Sequence, residues 1–143
     1  MAKGEKDKMI DADYLKGRIK EVRESIKELN KFVSKPFDML TPYEKYAIRY
    51  QIIILAEALG SLCLHVAIEE FGYEANSYAE CFKYMEEKGL LNTKELIKIV
   101  RLRNLLVHRY WIIDDLKIYE AIKEDFESVE ELLKNIEERY GIR

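Results

Sequence analysis

The sequence predicts an all-α protein, a bundle of about four long helices and one short one. Three observations carry that prediction. Apolar residues recur at alternating steps of four and three, the period of an amphipathic helix. Capping and stop residues stand at the ends of the periodic runs. No strand-like alternation occurs, and six Gly and two Pro in 143 residues are too few for a turn-rich all-β fold.

The first helix is marked by the stripe Leu15, Ile19, Val22, Ile26, Leu29, Val33. Ser34-Lys35-Pro36 ends it, because the residue before a proline avoids helical dihedrals. Thr41-Pro42 then reads as an N-cap followed by proline at the first helical position, and Glu44 completes a capping box. The second helix runs to about Phe71, with Gly72 as its stop. Its middle, Ile52-Ile53-Ile54-Leu55, is apolar all round, as in a helix packed on several sides. Asn76 or Ser77 caps a short third helix ending near Lys88, with Gly89 beyond it. Asn92 or Thr93 opens a fourth, carrying Leu96, Ile99, Val100, Leu102, Leu105 and Leu106. Trp111-Ile112-Ile113 is a break. Asp114 caps one last long helix with the stripe Tyr119, Ile122, Phe126, Val129, Leu133, Ile136, Tyr140. The two end helices are expected to pair with the central one, and their stripes are wide enough to feed a dimer interface.

The length suits a single domain over residues 1–143, with residues 1–8 frayed. At 48% hydrophobic and 36% charged residues the chain has the composition of a soluble globule. A net charge of −3 excludes a globally basic nucleic-acid binder but leaves room for a local basic patch. Cys63 and Cys81 cannot build a disulfide framework. Neither stands at zinc-ligand spacing, so both are expected to be buried small hydrophobes in a reducing cytoplasm. The start MAKGEKDK lacks the apolar core of a signal peptide. The most apolar stretch, Ile52 to Ile68, contains Glu57 and His65 and falls short of a spanning length. His65 is expected to be packed and hydrogen-bonded, the Glu-rich last helix solvated, and the ten tyrosines set in the core with polar tips.

One segment asks for a chemical reading: Arg101-Leu-Arg103-Asn104-Leu-Leu-Val-His108-Arg109-Tyr110-Trp111. Five Lys or Arg lie between Asn92 and Tyr110 against Glu95 alone, whereas Asp115 to Arg139 holds nine acidic and four basic residues. Positive charge thus gathers beside a histidine on an acidic chain, a place for phosphate through Arg101 and Arg109. Asn104 and His108, four apart, share a helix face, so Asn104 is placed to fix the imidazole tautomer. Arg103, five before His108, is some 140° away around the helix. The two converge in a cleft closed by a second protomer. Tyr110 reaches that cleft if the helix ends near Arg109. A histidine titrating near neutrality takes the proton of a ribose 2′-hydroxyl, an arginine fork stabilises the phosphorane, and a phenol hydrogen-bonds a phosphate oxygen.

Arg103-Asn104-Leu-Leu-Val-His108-Arg-Tyr110 resembles the Rx4HxY signature of HepT-like toxins in the HEPN superfamily. Trp111-Ile-Ile-Asp114 is similar to the usual continuation. Weaker agreement covers Glu44 to His65, Ser77-Tyr78-Ala79-Glu80, Gly89-Leu90-Leu91 and the end helices. Arg109 stands where relatives often carry a small residue. The resemblance implies an all-α HEPN fold and a homodimer with motifs facing across the interface. It implies a metal-independent endoribonuclease toxin, without a cofactor, in a type VII-like toxin–antitoxin pair. The catalytic residues would be Arg103, His108 and Tyr110, supported by Asn104. The implied partners are RNA and an MntA-type minimal nucleotidyltransferase antitoxin that transfers AMP to Tyr110; no membrane is implied. The alternative is a non-catalytic nucleotide-binding or docking subunit of a nucleotidyltransferase complex.

Overall fold

The computed structural model describes residues 10–89, 94–124 and 126–142, and the statements below concern those residues. Six α-helices follow one another: α1 (Ala12–Val33), α2 (Pro42–Phe71), α3 (Tyr78–Glu87), α4 (Lys94–His108), α5 (Asp115–Lys123) and α6 (Glu127–Tyr140). Short 3-10 turns at Phe37–Met39 and Tyr110–Ile112 separate α1 from α2 and α4 from α5. The expected fraying of residues 1–8 and the caps Asn92 and Thr93 lie outside the described residues.

The helix signals read from the sequence are the ones the chain uses. Thr41 accepts from the Glu44 amide while the Glu44 carboxylate accepts from the Thr41 amide, a complete capping box. Gly72 ends α2 at φ 66°, a left-handed conformation that glycine adopts without a Cβ penalty. Ser77 caps α3 and Asp114 caps α5 through their side chains. α1 turns Leu15, Ile19, Val22, Leu29 and Val33 inward and packs them along α2. α2 is the central element, touching α1, α3 and α4. Its buried residues include Ile48, Ile52, Leu55, Leu59, Leu62, Cys63 and Val66. All six helices contribute to one core cluster.

Three expectations need correction. The last helix is two helices, not one. Glu124 (ψ −141°) and Phe126 (φ −106°, ψ 31°) leave helical geometry. α5 packs on α1, and α6 packs on α4 while its Glu130 and Glu137 also hold Arg23 of α1. Second, by length and composition Pro42–Phe71 does pass as a membrane span, with a mean hydropathy of 1.9 over its most apolar 18 residues. Some 56% of that window is buried inside the molecule, which is the environment of a core helix. Third, the tyrosines divide. Tyr119 is buried and donates to the Val33 and Lys35 carbonyls. Tyr43, Tyr46 and Tyr50, on one face of α2, are more than 60% exposed.

The expectations for the two cysteines and His65 hold. Cys63 and Cys81 are fully buried. Burial drives the Cys63 thiol well above its ordinary value and pushes Cys81 up to about 12. His65 is half-buried, accepts the Asp11 amide at its Nε2 (3.1 Å) and packs on the Tyr14 ring, so it pins the start of α1 to α2. The acidic face of α6 is only partly solvated. Glu130 and Glu137 both grip Arg23 of α1, with four hydrogen bonds of 2.6–3.2 Å.

Candidate active site

α4 carries the motif. Leu96, Val100 and Leu106 bury one side of it, so its other positions are driven toward solvent. His108 is its last residue and is exposed. The helix closes with the Arg109 amide bonded to the Leu105 carbonyl at 2.7 Å. Arg109 then leaves helical geometry (φ −143°, ψ 44°) and opens the 3-10 turn. The helix thus ends one residue before Arg109, and Tyr110 lies on the turn that follows. Tyr110 is 62% exposed, with its ring edge-on to Trp111 (centroids 5.5 Å apart).

This turn is tied down from two sides. Arg49 of α2 donates from Nη1 to the Tyr110 carbonyl (3.1 Å) and from Nε to Asp115 at the start of α5 (2.8 Å). Arg49 was invisible to sequence spacing, because it lies 61 residues from Tyr110.

Arg103 faces a different way. It is half-buried, pairs with Glu57 of α2 and donates from Nη1 to Asn104 Oδ1 at 2.7 Å. Its guanidinium carbon lies 6.0 Å from the centre of the Tyr78 ring, within cation–π reach. The Tyr78 hydroxyl donates to the second Glu57 oxygen at 2.9 Å. Burial first, and then this bond, raises the Tyr78 phenol above its ordinary 10.0. Gly60, one turn from Glu57, makes the arrangement possible: a Cβ there would stand 2.5 Å from the Tyr78 ring.

Of the residues singled out in the sequence, Arg103 and Asn104 are therefore in contact, whereas His108, Arg109 and Tyr110 cluster at the helix end. The contacts of Arg103 run to Glu57, Asn104 and Tyr78 and not to the imidazole. Within one chain Asn104 offers its carbonyl oxygen to Arg103. Arg101 is exposed and lines, with Arg103, Asn104 and the Ala75–Ala79 segment, an open cleft of about 570 Å³. Around the helix end the surface is apolar: Leu105, Val107, Trp111 and Ile112 are all exposed. Glu57 and Tyr78 were not identified from sequence as partners of the motif. The one available signal was an acidic residue in the most apolar helix of the chain.

The fold thus holds Arg103 through contacts on three helices, leaves His108 facing solvent at a helix end and sets the Tyr110 phenol on the adjoining turn. A family profile described as Ribonuclease HepT-like matches residues 20–136, a span that contains all of these side chains. No curated protein matches the sequence. With the family's motif on an exposed helix end of an all-α fold, and a match over most of its length, this chain belongs to the HepT-like ribonuclease family.

Proposed function

We propose that the protein is a metal-independent endoribonuclease that cleaves RNA by attack of a ribose 2′-hydroxyl, and that it acts as the toxin of a HEPN–nucleotidyltransferase toxin–antitoxin pair in the cytoplasm. The observation that carries this reading is the family's Arg103–His108–Tyr110 motif on a helix that ends at His108 and leaves that imidazole open to solvent. His108 takes the 2′-hydroxyl proton, and the 2′-oxygen attacks the adjacent phosphorus. Arg103 stabilises the charge on the non-bridging oxygens. A proton delivered to the leaving 5′-oxygen completes the step and yields a 2′,3′-cyclic phosphate and a 5′-hydroxyl. Asn104 supports Arg103, and Arg101 and Arg109 bind flanking phosphates. Tyr110 hydrogen-bonds phosphate and is the residue that the antitoxin modifies with AMP.

Two protomers complete the cleft. Arg103 points to the α2–α3 side and His108 to the end of α4, while the surface between them is uncharged and exposed. A homodimer that buries this surface brings Arg103 of each protomer toward His108 of its partner.

The test is cleavage of RNA by purified protein in EDTA, with His108→Ala as control. The variant is expected to be slower by ~10²–10⁴-fold, the usual cost of losing an acid–base group. Products should carry cyclic phosphate ends. If the wild-type protein binds the nucleotidyltransferase but leaves RNA intact, the non-catalytic docking reading replaces this one.

A further inference from the structure

Glu57 is an acidic residue in the most apolar helix of the chain, between Leu55 and Leu59, both fully buried, with its own side chain 40% exposed. An ion pair at that exposure is weak evidence for a stabilising role, because solvent screens much of its energy. Its contacts indicate another role. One carboxylate oxygen faces Arg103 Nη2 and the other accepts the Tyr78 hydroxyl. Asn104 takes Nη1 from the other side. Three side chains, one each on α2, α3 and α4, thus surround one guanidinium.

A guanidinium has five N–H groups. Nη1 is hydrogen-bonded to Asn104 and Nη2 is ion-paired with Glu57, so both terminal nitrogens are held. A guanidinium held in this way offers its remaining N–H groups to phosphate oxygens without first having to be ordered. The Arg103 Nε is enclosed and has no partner, so the side chain engages through its tip. Tyr78 sets the Glu57 rotamer, and Gly60 lets the Tyr78 ring lie against α2.

We infer that Glu57, oriented by Tyr78, is a positioning residue that holds the Arg103 guanidinium at the angle from which it meets the scissile phosphate. The inference rests on the ribonuclease reading above and adds two residues outside the motif to its machinery. Glu57 touches no reacting atom and acts through Arg103.

Glu57→Gln keeps the size of the side chain and removes its charge. It should lower kcat by ~10–100-fold, the scale of a misplaced catalytic group, and leave KM for RNA within about threefold, since substrate is still bound elsewhere. Tyr78→Phe should show the same pattern with a smaller loss. In an Arg103→Ala background, Glu57→Gln should cost nothing further, because the group it positions is gone. A merely structural Glu57 would lower the melting temperature and slow both backgrounds by the same factor. A second readout does not need cleavage. In ¹⁵N spectra of the wild-type protein the Arg103 Nη groups should rotate slowly and give separate signals, which merge in Glu57→Gln. Wild-type kcat in Glu57→Gln, multiplicative losses in the double variant, or merged Arg103 signals in the wild type would each overturn the inference. RNA left intact by the wild type, with separate Arg103 signals present, would remove the ribonuclease reading and keep the positioning of Arg103.

Discussion

Gly60 shows how one atom governs the site. The Tyr78 ring occupies the space that a Cβ would take, 2.5 Å from the nearest ring carbons. Gly60→Ala must push the ring away, and the bond from Tyr78 to Glu57 with it. Overpacking of this kind costs about 1–3 kcal/mol. A thermal melt should therefore show a lower midpoint, and RNA cleavage should fall by more than the unfolded fraction explains. Tyr110 is the opposite case, a side chain 62% exposed on a turn. An AMP group there would add bulk and negative charge beside Arg109, filling the place of RNA phosphate. Under the proposed function, co-expression with a minimal nucleotidyltransferase antitoxin should add one or more AMP masses to the wild-type protein and abolish cleavage without unfolding it. A mass shift that persists in Tyr110→Phe would put the modification on another residue.

At the scale of elements, the ends of helices were legible and their interruptions were not. Thr41, Gly72, Ser77 and Asp114 act within a few residues of their own positions, so spacing alone reveals them. The break between α5 and α6 has no Gly or Pro to announce it. The neighbours on which the two halves pack, α1 and α4, lie elsewhere in the chain, so no local pattern marks the break. The link between α1 and α6 is equally non-local: Arg23 joins Glu130 and Glu137 across more than 100 residues. Its hydrogen bonds hold the Glu137 carboxyl below its ordinary 4.5. The sign follows from linkage. A carboxyl with a depressed folded-state pKa stabilises above its unfolded value and loses that contribution as pH falls through the folded value. Glu137→Gln should melt below the wild-type protein at pH 7, and the gap should close as pH is lowered from about 5 toward 3. A gap that is constant with pH would show that the charge of Glu137 contributes nothing.

At the scale of the molecule, the exposed apolar surface asks for a partner. Trp111 (67% exposed), Ile112, Val107 and Leu105 surround the end of α4. Tyr43, Tyr46 and Tyr50 are exposed on α2, and Arg49, three residues after Tyr46, reaches the Tyr110 carbonyl. Exposed apolar side chains gathered in this way mark interaction sites. The proposed homodimer should sediment at about twice the 17.0 kDa chain mass. Trp111→Glu should weaken it and reduce cleavage in parallel. A wild-type monomer that still cuts RNA would sink the composite cleft.

The fold class, the cores of α1 and α2, a helix end near Arg109 and the family motif itself were legible in the sequence alone. Each depends on residues a few positions apart, and helical periodicity, capping and motif spacing all act over that range. Only the tertiary structure decided which way Arg103 points, because its partners Glu57 and Tyr78 lie 46 and 25 positions away and meet it through the packing of α2, α3 and α4. The same holds for Arg49 on the Tyr110 turn and for the division of the last helix. Local rules place a residue on a helix face; which neighbour fills the space in front of that face is settled by the fold as a whole.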